Sequence, residues 1–270
     1  MTLPSQTTGP VLWSVDPRGV ATVTLNRPEV NNAYNGELIE GVLAALDALG
    51  GLKNLRAVVL KGNGKHFQAG ADLKWIDAVR TSSREENVRV SRATAEAVRR
   101  LNLAPIPTIA LVQGGCFGGG TGVVAACDVV IAADNALFSI AEVRWGLTAA
   151  IIVPQLNDAI SVRQMRRYAL TGERFDAQEA RRIGLVHEVV PLAELAAAGE
   201  RVVGHVLDNG PEAIAETKAL TLQDAYGSLS ATTFTRLIES HAAKRQSPEA
   251  EEGLASFKEK RAAKWTPGKI

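Results

Sequence analysis

Two cysteines and four histidines in 270 residues leave little material for a disulfide framework or a metal centre. Cys116 and Cys127 stand eleven apart with no histidine at ligand spacing, so they read as buried thiols in a reducing compartment, and no metal is expected. The formal charge of +1 provides no general attraction to nucleic acid or to a membrane surface. No apolar run reaches 18 residues, and Met1 to Gln6 lacks the basic and apolar stretches of an export signal, so a cytoplasmic location is expected. Repeats, low-complexity tracts and charge blocks are missing too. No serine or cysteine occupies a G-x-S-x-G elbow, which removes the usual sign of a nucleophilic hydrolase.

Glycine, by contrast, is concentrated. Six of the 24 glycines lie between Gln113 and Gly122, after the apolar run Ile109-Ala110-Leu111-Val112 and before Val123-Val124-Ala125-Ala126. The pattern reads as strand, bare turn and buried helix, a junction that aims free N–H groups at something negative or lets a helix pack tightly on a strand. A dinucleotide fingerprint is excluded in both registers by Val123 and Phe117. Around Gly62-Asn63-Gly64-Lys65, Val59 and His66 stand where a P-loop needs glycine and a hydroxyl residue. A second strand-to-helix junction follows Arg56 to Lys61, where Phe67-Gln68-Ala69-Gly70-Ala71 runs into Asp72, a helix cap, and Leu73-Lys74. Two such junctions can place two N–H donors around one oxygen, as enolate formation from a thioester requires.

These segments, with Val23 to Pro28, Phe138 to Gly146, Leu170 to Glu173 and Ala180 to Val186, resemble the crotonase superfamily, the enoyl-CoA hydratases and isomerases, over nearly the whole chain. The resemblance implies an α/β fold with a ββα spiral core over residues 1–205 and a helical region over residues 206–270 used in trimer packing. It implies an acyl-CoA thioester as substrate, coenzyme A entering as part of it and no separate cofactor, and assembly as a homotrimer or a hexamer. Carried over residue by residue, it assigns the oxyanion hole to the backbone N–H groups of Ala71 and Gly119. The CoA-side contacts fall to Arg27, Ala69, Ala71, Asp72, Leu73, Lys74, Gly118 and Gly119. Of the two glutamates usual in hydratases, the first falls on Gly122 and the second on Glu142. Finer matches, among them Asp16 to Thr22, Asn31-Asn32-Ala33 and Arg167-Tyr168-Ala169-Leu170, are similar to bacterial methylglutaconyl-CoA hydratases.

One carboxylate leaves two reactions open. With its pKa raised by an apolar pocket, Glu142 can deprotonate water adding at C3 and protonate C2, which is hydration. It can equally carry a proton between C2 and C4, which is isomerisation. A CoA-thioester-binding homologue with little turnover is the reading from another class, kept open by Gly122 and by Glu29, where many relatives carry lysine. Arg144, two positions after Glu142 in an expected strand, would share its face and either grip a second carboxylate on the substrate or form a surface ion pair. His66 precedes the Phe67 loop but reads as structural or solvent-facing, and Tyr34, Tyr168 and Tyr226 have nothing local that directs them inward.

Hydropathy patterning predicts a hairpin from Val11 to Leu25 turning at Pro17-Arg18-Gly19. Helices are predicted over 37–49, 84–103, 176–183, 192–207, 211–226 and 232–243, and strands over 54–60, 108–112 and 128–133.

Overall fold

The computed structural model describes residues 4–223 and 230–264. In chain order the strands are β1 (Ser5–Gln6), β2 (Val11–Val15), β3 (Val20–Leu25), β4 (Ala57–Gly62), β5 (Thr108–Val112), β6 (Gly115–Phe117), β7 (Val129–Ala133), β8 (Leu137–Ser139), β9 (Phe175–Asp176) and β10 (Glu188–Val190). The helices are α1 (Gly36–Gly50), α2 (Leu73–Arg80), α3 (Arg84–Asn102), α4 (Gly119–Ala125), α5 (Val153–Thr171), α6 (Ala177–Ile183), α7 (Leu195–Leu207), α8 (Pro211–Gln223), α9 (Ala231–Arg245) and α10 (Pro248–Lys258).

Seven strands form the main sheet in the order β1-β2-β3-β4-β5-β7-β10, and β6, β8 and β9 form a second, small sheet. From β3 onward the main sheet is parallel, with Val58 opposite Thr108 and Ile109 opposite Val129. β5, the middle of the five parallel strands, is buried at every position, as expected of a parallel strand covered on both faces. The chain repeats one unit: a long strand in the main sheet, a short strand in the small sheet, then a helix. β5-β6-α4 and β7-β8-α5 are two such turns, and the isolated bridges Gln68–Cys116 and Tyr34–Ala71 mark a third after β4. This is the ββα spiral, and it confirms the α/β reading.

The hydrophobic core is split by the main sheet. Val58, Leu60, Ala110 and Val112 face the larger cluster, which α1, α3, α4 and α5 cover. Val59, Ile109, Leu111 and Ile131 face the opposite side, where α7 seals them with Leu195, Ala198 and Val203. Helix starts follow the expected chemistry. The Asn35 side chain accepts from Leu38 N ahead of α1, and Ser83 Oγ accepts from Glu86 N ahead of α3.

The predicted hairpin is present, as are the helices begun at Gly36, Arg84, Ala177, Leu195, Pro211 and Ala231. The predicted end of the 211–226 helix lies outside the described residues. α7 runs across residues 205 and 206. α10 has no counterpart in the sequence reading, because Pro248 to Lys258 is rich in glutamate and buries only a narrow stripe centred on Gly253 and Leu254. A Cβ on Gly253 would lie 2.3 Å from the carbonyl oxygen of Trp145. The lack of a side chain there lets α10 rest directly on the turn that carries Glu142.

Candidate active site

The first wall is the junction after β4. Ala69 N donates to Asn31 O at 2.9 Å, Tyr34 N to Gly70 O at 2.8 Å and Asp72 N to Tyr34 O at 2.9 Å. Between these bonds the N–H of Ala71 has no acceptor among the described residues. Gly70 adopts φ +86°, which a side chain rarely tolerates, and its backbone runs against Phe117. Asp72 caps α2, accepting from Lys74 N at 3.1 Å.

The second wall is the glycine turn. Gly118, at φ +51° and ψ −124°, turns the chain from β6 into α4. Its own N–H is held by Ser139 O at 2.8 Å, whereas the N–H of Gly119, first in the helix, has no acceptor among the described residues. Gln68 N donates to Gly115 O at 3.1 Å and Phe117 N to Gln68 O at 2.9 Å, so the two junctions lie side by side. Ala71 and Gly119 line one cleft of about 620 Å³.

Glu142 closes the third side. It opens a 3-10 turn, Glu142–Trp145, and a Cβ on Gly118 would lie 3.3 Å from its Oε1. Oε2 is buried and has no hydrogen-bond partner among the described residues. Burial raises the carboxyl pKa to about 7, with a bond from its own backbone opposing. Tyr34 packs beside Gly119, and its phenol is pushed up to about 12 by burial and then by Glu142, so it stays protonated.

Behind these groups an enclosed cavity of about 70 Å³ reaches under the sheet, walled by Leu25, Leu38, Val58, Leu60, Val98 and Leu101. Tyr34, Gly119, Glu142 and His241 line both spaces and form the passage between them. Two further buried oxygens in the cavity wall, Gln68 Oε1 and Thr148 Oγ1, are also unpartnered.

Of the residues singled out in the sequence, Ala69, Ala71, Asp72, Leu73, Lys74, Gly118, Gly119, Glu142 and Arg144 all line the outer cleft. Arg27 does not. It pairs with Asp72 at 3.6 Å and donates to the Ala33 carbonyl, bracing the loop from behind. The expected strand at 142–144 is a correction: the segment is a 3-10 turn with three residues per turn, which puts Arg144 about 240° around from Glu142. Arg144 is exposed and packs on Gly172, so it does not share the face of Glu142.

His66 is structural, since its Nδ1 accepts from Gly115 N at 2.8 Å. Tyr168 is bonded to Glu179. Both cysteines are buried with their thiol pKa values raised by burial, Cys127 to about 12. Among the described residues no cluster of metal-ligand side chains occurs, and no helix is long and apolar enough to cross a membrane.

Sequence reasoning missed Gln68, Thr148, His241 and Arg245 and left Tyr34 undirected. Gln68 and Thr148 line the inner cavity, Gln68 from within the junction after β4, where the backbone pattern gives no sign of the side chain's role. His241 and Arg245 reach the cleft from α9, where their spacing of four reads only as a helix face.

Comparison with known proteins agrees with this architecture. The sequence model of the family described as Enoyl-CoA hydratase/isomerase matches residues 16–268. A putative enoyl-CoA hydratase of Thermus thermophilus is 35% identical over 243 residues, covering 90% of this chain and 95% of the relative. A mitochondrial Delta(3,5)-Delta(2,4)-dienoyl-CoA isomerase of Dictyostelium discoideum is 29% identical, covering 90% and 86%. The crystal structure of a putative enoyl-CoA hydratase from Mycobacterium avium paratuberculosis superposes with a TM-score of 0.84 at 33% identity, covering 95% of this chain and 99% of that one. Matched in sequence and in fold over nearly its whole length, the chain is an enzyme of the enoyl-CoA hydratase/isomerase family.

Proposed function

We propose that the chain is an acyl-CoA hydratase, adding water across the double bond of a 2-enoyl-CoA through a thioester enolate. The observation that carries this reading is the enclosed, unpartnered Oε2 of Glu142 in a space it shares with two other unpartnered oxygens, Gln68 Oε1 and Thr148 Oγ1. A cavity of that size with several polar partners accommodates an ordered water. Hydration needs such a water held beside a base, and isomerisation does not.

In this reading the thioester oxygen accepts from Ala71 N–H and Gly119 N–H, which stabilise the charge that develops on it. Ala69, Leu73 and Lys74 flank the pantetheine. Glu142 takes a proton from water as its oxygen bonds to C3, and the same carboxyl returns a proton to C2 as the enolate collapses. The apolar wall of the inner cavity receives hydrocarbon of the acyl group. A 3-methylglutaconyl group is the acyl chain that the finer sequence resemblance favours. Assembly as a homotrimer or hexamer in the cytoplasm belongs to the same reading.

One observation favours isomerisation instead. A Cβ on Gly122 would lie 2.1 Å from Ile152 Cγ2, so the place of the first hydratase glutamate is filled with hydrocarbon. The two are separated by turnover of 3-methylglutaconyl-CoA, a 2-enoyl-CoA and a 3-enoyl-CoA in oxygen-18 water containing deuterium oxide, with products read by mass spectrometry. Hydration places oxygen-18 at C3. Deuterium uptake with a moved double bond and no oxygen-18 would overturn the hydratase reading.

The pH profile follows from the same carboxyl. The base must be ionised, so kcat/KM is expected to rise with pH through about 7 and level off above it. Stability runs the other way. Between the ordinary value of 4.5 and about 7 the folded chain keeps a proton that the unfolded chain has lost, so Glu142 contributes stability at low pH that fades as pH rises to about 7. Rate–pH profiles and thermal unfolding across pH 4 to 9 check both, and a flat kcat/KM in that range would show that Glu142 is not the base.

A further inference from the structure

The cleft contains a cation that this reaction does not use. Arg245, the last residue of α9, is 1% exposed and lines the cleft. Its Nη1 donates to Asn87 Oδ1 at 3.3 Å and its Nη2 to His241 Nδ1 at 3.2 Å, both neutral acceptors. Among the described residues no carboxylate pairs with it. Arginine is almost never fully buried without an anion, because desolvating a guanidinium costs far more than two neutral hydrogen bonds return. Its other N–H groups make no hydrogen bond among the described residues.

Its neighbours point the same way. Arginine can only donate, so His241 Nδ1 must accept, which puts the ring proton on Nε2 and leaves that N–H as a donor. Burial and the adjacent Arg245 hold the His241 pKa near about 3, keeping the ring neutral. Ser91 Oγ, 3.1 Å from the same Nδ1, fixes the ring from the other side. Tyr34 stays protonated, so its hydroxyl can donate. A buried guanidinium bonded only to neutral acceptors, with an imidazole N–H and a phenol O–H beside it, makes a site for an anion.

Its place in the cleft identifies which anion. Arg245, His241 and Tyr34 line the same cleft as the two free N–H groups of Ala71 and Gly119 and the carboxyl of Glu142. An acyl chain held at Ala71 and Gly119, with its reacting carbons at Glu142, would reach Arg245 with a distal group.

We propose that Arg245, with His241 and Tyr34, is the receptor for a second carboxylate at the far end of the acyl group, so that the enzyme selects dicarboxylic acyl-CoA thioesters over neutral ones. The inference rests on the acyl-CoA reading above but not on whether the reaction is hydration or isomerisation. It also moves the anion-gripping role from Arg144 to Arg245.

The test is calorimetric binding of glutaryl-CoA, valeryl-CoA and free CoA to the full-length protein. The two acyl thioesters are saturated, so no turnover intervenes, and they differ chiefly in the terminal carboxylate. Wild type is expected to bind glutaryl-CoA roughly tenfold or more tightly than valeryl-CoA, the range of a charge-assisted hydrogen-bonded contact. Arg245→Gln should erase that preference and leave free CoA affinity unchanged, and Arg245→Lys should keep part of it. Thermal unfolding of each variant reports whether it is folded. Equal wild-type affinity for the two thioesters, a result needing no variant, would overturn the proposal. So would an Arg245→Gln loss of the same size for free CoA, which would assign the cation to the CoA phosphates, or an equal loss for both thioesters, which would make it structural. Oxygen-18 incorporation is read separately, so a failed hydratase reading and a failed carboxylate receptor give different results.

Discussion

Glu142→Gln is expected to lower kcat by about 10²- to 10⁴-fold, the range a positioned acid/base contributes, while acyl-CoA affinity stays near wild type. Glutamine keeps the shape of the side chain and removes only its ability to exchange a proton. Other carboxylates are poorly placed to substitute for it, since Gly122 holds the position of the first family glutamate and Asp72 is engaged in capping α2 and pairing with Arg27. Stability offers a control with a definite sign. The carboxyl is raised to about 7 because burial penalises its charged form, so the neutral amide should unfold at the same temperature as wild type or a higher one above that pH. A variant that lost activity and stability together at pH 8 would mark Glu142 as a structural group. One that kept its turnover would remove it from the mechanism.

The second large effect is at Gly122, where Gly122→Glu is expected to destabilise the fold instead of restoring a missing catalytic group. Its Cβ would lie 2.1 Å from Ile152 Cγ2 and 2.5 Å from Ile152 Cβ. Gly122 is buried, and Ile152 is 2% exposed within the main core. Overpacking alone costs about 1–3 kcal/mol, and an unpaired carboxylate in that apolar setting adds to it. A total of about 3 kcal/mol corresponds to a fall in Tm of roughly 6–12 °C for a chain of this size. Ile152→Ala in the same molecule should recover part of the loss, since it removes the atoms that collide, and the double-mutant cycle measures the coupling. Additive losses, or a Gly122→Glu protein as stable as wild type, would show that Ile152 does not close this position. If the double variant also hydrates faster, the water is limited by having one carboxylate to hold it.

The main sheet, most helices and both backbone junctions were legible because each depends on short-range chemistry. Thr108 to Val112 is an apolar β-branched run ended by glycine, Ser83 and Asn35 are caps three residues from the N–H groups they satisfy, and Gly118 is the residue type that φ +51° requires. Sequence also marked Glu142, Ala71 and Gly119, through resemblance and the glycine pattern. It misplaced Arg144, because a 3-10 turn and a short strand look alike over four residues while their faces repeat differently. It passed over α10, whose buried stripe is set by the close approach of Gly253 to Trp145, a contact between residues more than a hundred positions apart.

By itself, then, the sequence determined the alternation of strands and helices and the two bare strand-to-helix junctions, since periodicity, caps and glycine conformations act over a few neighbouring residues, while the spiral and the choice of Glu142 came through family resemblance. Only the tertiary structure decided that Ile152 fills the space over Gly122, that Gln68 and Thr148 leave oxygens beside Glu142, and that Arg245 is buried in the cleft without a carboxylate partner. Those are statements about which atoms lack room or lack a partner. They depend on the packing of α9 against α3 and of the 149–152 turn against α4, and no local pattern in the chain encodes them.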